Sequence, residues 1–78
     1  MTGLIKRSVS LDGHRTSVAL EAPFWAVLYG MAEARGQSLA ALVAGVDAER
    51  GERPLASALR VAALEHALAA GAPAGADS

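Results

Sequence analysis

The sequence predicts a mainly α fold fronted by a short β ribbon, and three observations predict it. Two runs of alternating polar and apolar residues, "IKRSVSL" and "HRTSVAL", flank Asp12-Gly13. From residue 23 to residue 70 the apolar side chains recur at helical spacing instead, with breaks at Gly36 and at residues 50–54. Hydrophobic residues make up 53% of the 78 positions and charged ones only 19%, more apolar side chain than a lone small domain hides. The excess points to a dimer interface.

The first element is a hairpin. Asp and Gly both tolerate the positive φ of a type I′ turn, the two-residue connection that suits twisted strands. Folding at Asp12-Gly13 opposes Leu11 to His14, Ser10 to Arg15, Val9 to Thr16, Ser8 to Ser17, Arg7 to Val18, Lys6 to Ala19 and Ile5 to Leu20. Opposed residues share a face. One face is then Lys6, Ser8, Ser10, Arg15, Ser17 and Ala19, almost wholly polar. The other is Ile5, Arg7, Val9, Leu11, His14, Thr16, Val18 and Leu20, mostly apolar. Both strands agree on which face is which.

Pro23 suits the first turn of a helix, where its missing N–H costs nothing. A helix over about 23–35 carries Phe24, Val27, Leu28 and Met31 on one stripe, and Gly36 ends it. Ser38 caps a second helix, about 39–50, with Leu39, Leu42, Val43 and Val46 on its stripe. After the charged break "RGERP" a third helix, about 55–70, bears Leu55, Leu59, Val61, Leu64 and Leu68. These spread around more than half of its circumference, which predicts burial on several sides. The expected organisation is a flexible N-terminus over 1–4, one domain over 5–70, and a disordered tail over 71–78, "GAPAGADS" from residue 71.

There are no cysteines, which excludes disulfides and thiolate metal sites. No export signal or membrane-length apolar run is legible, so the expected location is the cytoplasm. The net charge is −1, but it is unevenly placed. Residues 1–19 hold Lys6, Arg7 and Arg15 against Asp12, while residues 20–78 hold four arginines against seven acids. The ribbon is basic and the helical body acidic.

Enzyme chemistry needs a constellation, and none is apparent. His14 and His66 lack a carboxylate or second histidine at metal-ligand spacing, the serines have no partnered base, and the glycines form no phosphate-binding loop. No cofactor and no metal are expected. Phe24 and Trp25 read as core anchors. Arg60, a lone cation in "LASALRVAALEH", reads as paired with an acid such as Asp47 or Glu65, or alternatively as a contact to a partner chain. The polar ribbon face carries hydrogen-bond donors that suit phosphates and base edges, and a two-stranded ribbon fits the major groove.

The stretch "RTSVALEAPFWAVLYGMAEARGQSLAALVAGVDAE", with its alternating strand, Pro at the first helix start and Gly36-Gln37-Ser38 junction, resembles the ribbon-helix-helix DNA-binding family of Arc- and MetJ-like repressors. The similarity spans about residues 5–69, and the whole run looks like a small bacterial subgroup with an extra C-terminal helix. The resemblance implies an intertwined homodimer that sets an antiparallel ribbon into the major groove of double-stranded DNA and regulates transcription as a repressor. Carried over, Arg15, Ser17 and Ala19 face the groove, while Gln37, Ser38 and Leu39 hold a phosphate at the second helix start. Lys6, Arg7, Ser8 and Ser10 join the DNA-binding set. Val18, Leu20, Phe24, Trp25, Leu28, Leu42, Val46 and Leu59 are expected in the dimer core.

Two departures stand out. Ala19 offers a base only an apolar contact, and Glu21 meets phosphate repulsion unless a basic neighbour pairs with it or it accepts from cytosine N4. The hairpin adds a question of width. Pairing the second strand with its dimer mate gives four strands, roughly 14 Å across, against a major groove of about 12 Å. Either residues 5–11 are a mobile arm reaching flanking phosphates, or the sheet enters the groove differently and a protein-binding role gains weight. The alternative function is an antitoxin-like or adaptor dimer that receives a protein partner at the third helix.

Overall fold

The computed structural model describes residues 3–76, with side chains as far as Ala70. Strands β1 (Leu4–Leu11) and β2 (His14–Glu21) form an antiparallel hairpin, followed by helices α1 (Ala22–Ala34), α2 (Leu39–Glu49) and α3 (Leu55–Ala76). The hairpin register is the expected one at all seven pairs and adds Leu4 opposite Glu21. Asp12 and Gly13 adopt φ of 51° and 80°, the double positive φ of a type I′ turn. The strand begins at Leu4, one residue inside the segment expected to be flexible; Met1 and Thr2 lie outside the described residues.

Each helix boundary has a local cause. Pro23 occupies the first turn of α1. At the other end Gly36 takes φ 65°, letting its N–H reach Glu33 O at 3.1 Å and the Gln37 N–H reach Ala32 O at 2.9 Å. That pair of bonds is a Schellman closure, which satisfies the last carbonyls of α1. Ser38 Oγ accepts the Ala41 N–H at 3.0 Å and caps α2. The 50–54 break is held by Arg50, whose Nε donates to Asp47 at 2.6 Å and whose Nη1 donates to Arg53 O at 2.7 Å. α3 runs on to Ala76, past the expected end at residue 70. Side chains beyond Ala70 and residues 77–78 lie outside the described residues, and so does most of what bears on the expected tail.

The core closes within one chain. Val9, Val18 and Leu20 of the hairpin meet Trp25, Leu28, Met31 and Ala32 of α1, Leu42 and Val43 of α2, and Leu59 and Ala63 of α3. α3 makes this closure, packing on α1, α2 and β2, while α2 lies against β1. Ala58 and Ala63 are small enough to bring its backbone close. Six of the residues expected in a dimer core (Val18, Leu20, Trp25, Leu28, Leu42, Leu59) are therefore buried by the chain's own elements, and Phe24 and Val46 are half-buried against them.

α3 also departs from its expected burial on several sides. Ala58, Leu59 and Ala63 face the core, but Val61, Leu64 and Leu68 remain exposed, Leu64 at 54% and Leu68 at 62%. Leu64 borders α1 across a shallow groove and Val61 borders α2, but both stay largely open to solvent.

Candidate nucleic-acid interface

The polar face of the hairpin is built by register. Lys6, Ser8 and Ser10 stand opposite Ala19, Ser17 and Arg15. All but Ala19, which is half-buried, are exposed. Because the two-residue turn closes on a hydrogen-bonded Leu11–His14 pair, hydrogen-bonded pairs recur at every second position. The backbone N–H and C=O groups of Arg15, Ser17 and Ala19 then point away from β1, along the outer edge of β2. Those of Lys6, Ser8 and Ser10 point along the outer edge of β1.

Arg7 belongs elsewhere. It lies on the opposite face, opposed to the buried Val18, and its Cζ sits 5.6 Å from the ring centroids of both Trp25 and Tyr29. Those rings are 6.4 Å apart and tilted by 44°, so the guanidinium is shared between two aromatic faces. Trp25 also donates its Nε1–H to the Ile5 carbonyl at 2.8 Å. The two contacts fasten β1 to α1. Residues 5–11 are thus a strand of the sheet and not a free arm, and Arg7, on the mostly apolar face that the register predicts, is separated from the rest of the DNA-binding set.

The acid at the end of that face is paired. Glu21 Oε1 accepts from Arg60 Nε at 3.0 Å, and both side chains are half-buried. The Arg60 guanidinium also lies 5.7 Å from the Phe24 ring centroid. The hydrogen bond from Arg60, reinforced by a backbone hydrogen bond, holds the Glu21 carboxyl below its ordinary value of 4.5 against a smaller opposing effect of burial. Neither Asp47 nor Glu65 is the partner expected for Arg60; Asp47 is bound to Arg50. Glu21 lies 39 positions away in sequence, and no local pattern connects it to α3. Arg60's isolation on an apolar helix signals a partner without naming it. Glu21 makes no side-chain cap at the start of α1, its carboxylate being turned to Arg60 instead.

At the start of α2 the three expected phosphate ligands divide. The Gln37 N–H is spent on Ala32 O, and Ser38 Oγ on the Ala41 N–H. The Leu39 and Ala40 amides are first-turn donors that have no intrahelical acceptor. An anion there is offered the Ser38, Leu39 and Ala40 amides rather than that of Gln37.

Among the concavities formed by the described residues, two differ sharply in character. A cleft of about 340 Å³ where the end of α1 meets α2 and α3 is lined by Arg35, Glu49, Glu65 and His66 with Met31 and Val46. Among the described residues no three His, Cys, Asp or Glu are placed to share a metal ion. A smaller groove of about 120 Å³ between α1 and α3 is lined by Pro23, Phe24, Val27, Ala63, Leu64 and Ala67, all apolar. No helix among the described residues is long and apolar enough to cross a membrane.

Strand β2 leads into α1 and α2 across the Gly36-Gln37-Ser38 junction, the arrangement on which the sequence resemblance rests, and the chain matches the family described as "Ribbon-helix-helix domain" over residues 4–67. The chain belongs to the ribbon-helix-helix family. The match takes in the hairpin, α1, α2 and the first part of α3. Comparison with curated proteins and with solved structures gives no match. Ribbon-helix-helix proteins are commonly DNA-binding transcription regulators or antitoxins, bind DNA as dimers, and are typically not enzymes.

Proposed function

We propose that this protein is a bacterial, cytoplasmic transcription regulator, a repressor, that binds double-stranded DNA as a homodimer through the polar face of its hairpin. The observation that carries the reading is the face itself. Lys6, Ser8, Ser10, Arg15 and Ser17 stand exposed on one side of a hairpin whose other side is fastened to the body. Of the two acids of the hairpin, Asp12 lies in the turn and Glu21, at the far end, is tied to Arg60.

Two copies pair β2 to β2, because the outward backbone groups of Arg15, Ser17 and Ala19 form an edge that no proline interrupts. With β1 a fixed strand, the sheet has four strands and is roughly 14 Å across, so it lies over a groove of about 12 Å rather than sinking wholly into it. The central β2 pair faces the bases, with Arg15 and Ser17 as donors and Ala19 against a thymine methyl. Lys6, Ser8 and Ser10 on the outer strands meet the phosphate rims, and the α2 start adds an amide contact to phosphate.

Fluorescence anisotropy on labelled genomic duplexes tests the reading. Affinity is expected to fall steeply between low and moderate salt, because phosphate contacts release counterions, and to fall again in Arg15→Ala with the melting curve unchanged. Binding that ignores both salt and Arg15 sinks the proposal. Sedimentation that shows a folded monomer at micromolar concentration sinks the dimer.

A second reading, an antitoxin-like or adaptor dimer that receives a protein partner, draws on α3. Leu64 and Leu68 are exposed beside the apolar α1–α3 groove. A pull-down under nuclease treatment separates the readings: a partner retained without DNA favours the second.

A further inference from the structure

The hairpin places an acid where a DNA-binding face tolerates one least. Glu21 is opposite Leu4 and two residues beyond Ala19, on the same side of the strand. Two residues of strand are about 6.8 Å, inside the Debye length of about 8 Å at physiological ionic strength. A carboxylate free to swing there repels a phosphate at that end of the face through only partial screening.

We propose that Arg60 is a positioning residue for the DNA interface: reaching across from α3, it draws the Glu21 carboxylate back against the helical body. The inference rests on the reading of the polar face as the DNA-binding surface. Its geometric support is the 3.0 Å Nε–Oε1 contact, with the same guanidinium seated 5.7 Å from the Phe24 ring centroid. Arg60 is held at both its planar face and its edge, so it acts as a fixed anchor and not as a floating surface charge. Phe24 follows Glu21 by three residues, so the acid, the ring and the cation form one cluster at the point where β2 becomes α1. α3, which lies beyond the ribbon and the two helices, thereby acts on the DNA-facing surface without touching it.

A charge acting only at long range and a side chain that positions another give different double-mutant cycles. Removing the Arg60 charge weakens DNA binding to the same extent whatever stands at 21, if charge is all that matters. A positioning role disappears once residue 21 carries no charge to position.

The test measures salt-dependent affinity for a fluorescein-labelled mixed-sequence duplex with the wild-type chain, Arg60→Gln, Glu21→Gln and the double variant, each confirmed folded by circular dichroism. Arg60→Gln is expected to weaken binding about threefold to tenfold, the size of a like charge met within a Debye length. In the Glu21→Gln background the same change is expected to cost under about twofold, and Glu21→Gln alone to bind at least as tightly as wild type. Equal losses in both backgrounds, or no loss in either, overturn the inference. A loss in Glu21→Gln alone also overturns it, because the carboxylate then contacts the DNA itself. Glu21→Gln keeps Arg60 and its seat on Phe24, so this arm decides even where Arg60→Gln does not fold. Wild-type chain that shows no salt-dependent binding fails the underlying reading of the face, a result distinct from an additive cycle.

Discussion

The hairpin and α3 solve the same problem with opposite outcomes. Each is amphipathic, each lays one side on the shared core, and each leaves most of its other side exposed among the described residues. The hairpin buries Val9, Val18 and Leu20 and leaves out Lys6, Ser8, Ser10, Arg15 and Ser17. α3 buries Ala58, Leu59 and Ala63 and leaves out Val61, Leu64 and Leu68. A free basic and hydroxyl surface is stable in water and suits a charged, hydrated partner. A free leucine surface gains from being covered, which suits protein. The two regions thus speak for different ligands.

The sharpest break in this comparison lies within α3 itself. Leu59 is fully buried, and Leu59→Ala is expected to cost about 2–5 kcal/mol, because a cavity opens among α1, α2 and the hairpin. Leu64→Ala, one turn and one residue further along, is expected to change chain stability by no more than about 0.5 kcal/mol. Urea denaturation at low protein concentration measures both. A large cost at Leu64 that grows with protein concentration shows its side covered by a second copy.

The next break is between two arginines of the hairpin. Arg7→Ala is expected to lower stability by about 0.5–1 kcal/mol through loss of the two aromatic contacts, leaving DNA affinity per folded molecule within about twofold. Arg15→Ala is expected to do the reverse, with affinity down by about 1 kcal/mol or more and the melting temperature unchanged. Melting curves and anisotropy on the same preparations separate them. Loss of DNA affinity in a fully folded Arg7→Ala returns that residue to the interface.

What the sequence makes legible follows from how far apart the interacting residues lie. The hairpin register could be read from Asp12-Gly13 and the period-2 alternation, since turn and strands are contiguous. The helix ends could be read from Pro23, Gly36 and Ser38, whose effects reach three or four residues. Ile5 and Trp25, Arg7 and Tyr29, and Glu21 and Arg60 could not be paired in advance, because each depends on how α1 and α3 cross the hairpin. The same limit explains Gln37. Its place at the junction marks it as a phosphate ligand, and only the Schellman closure shows its amide already taken. The core was legible in its residues but not in its ownership. Leu28, Met31, Leu42, Val43 and Leu59 of the predicted stripes are buried, but Val61, Leu64 and Leu68 are exposed, and hydrophobic excess does not say which side of α3 the chain itself covers.

The smallest expected effect is the pH dependence of the link between the two regions. Arg60 holds the Glu21 carboxyl below its ordinary value of 4.5, so the folded state favours the ionised acid. For a group whose folded value is depressed, the unfolded chain takes up the proton first as pH falls. The stabilisation is therefore fully present above about 4.5 and is lost as pH drops through the folded value. Glu21→Gln lacks this contribution at every pH. The gap between the urea midpoints of wild type and Glu21→Gln is expected to be widest near neutrality and to close on acidification below 4.5, other acids cancelling between the two chains. Both partners are partly open to solvent, so the gap is small and shrinks with added salt. A gap that is constant with pH means the carboxylate gains nothing from Arg60 in the folded state, and α3 then has no hold on the end of the hairpin.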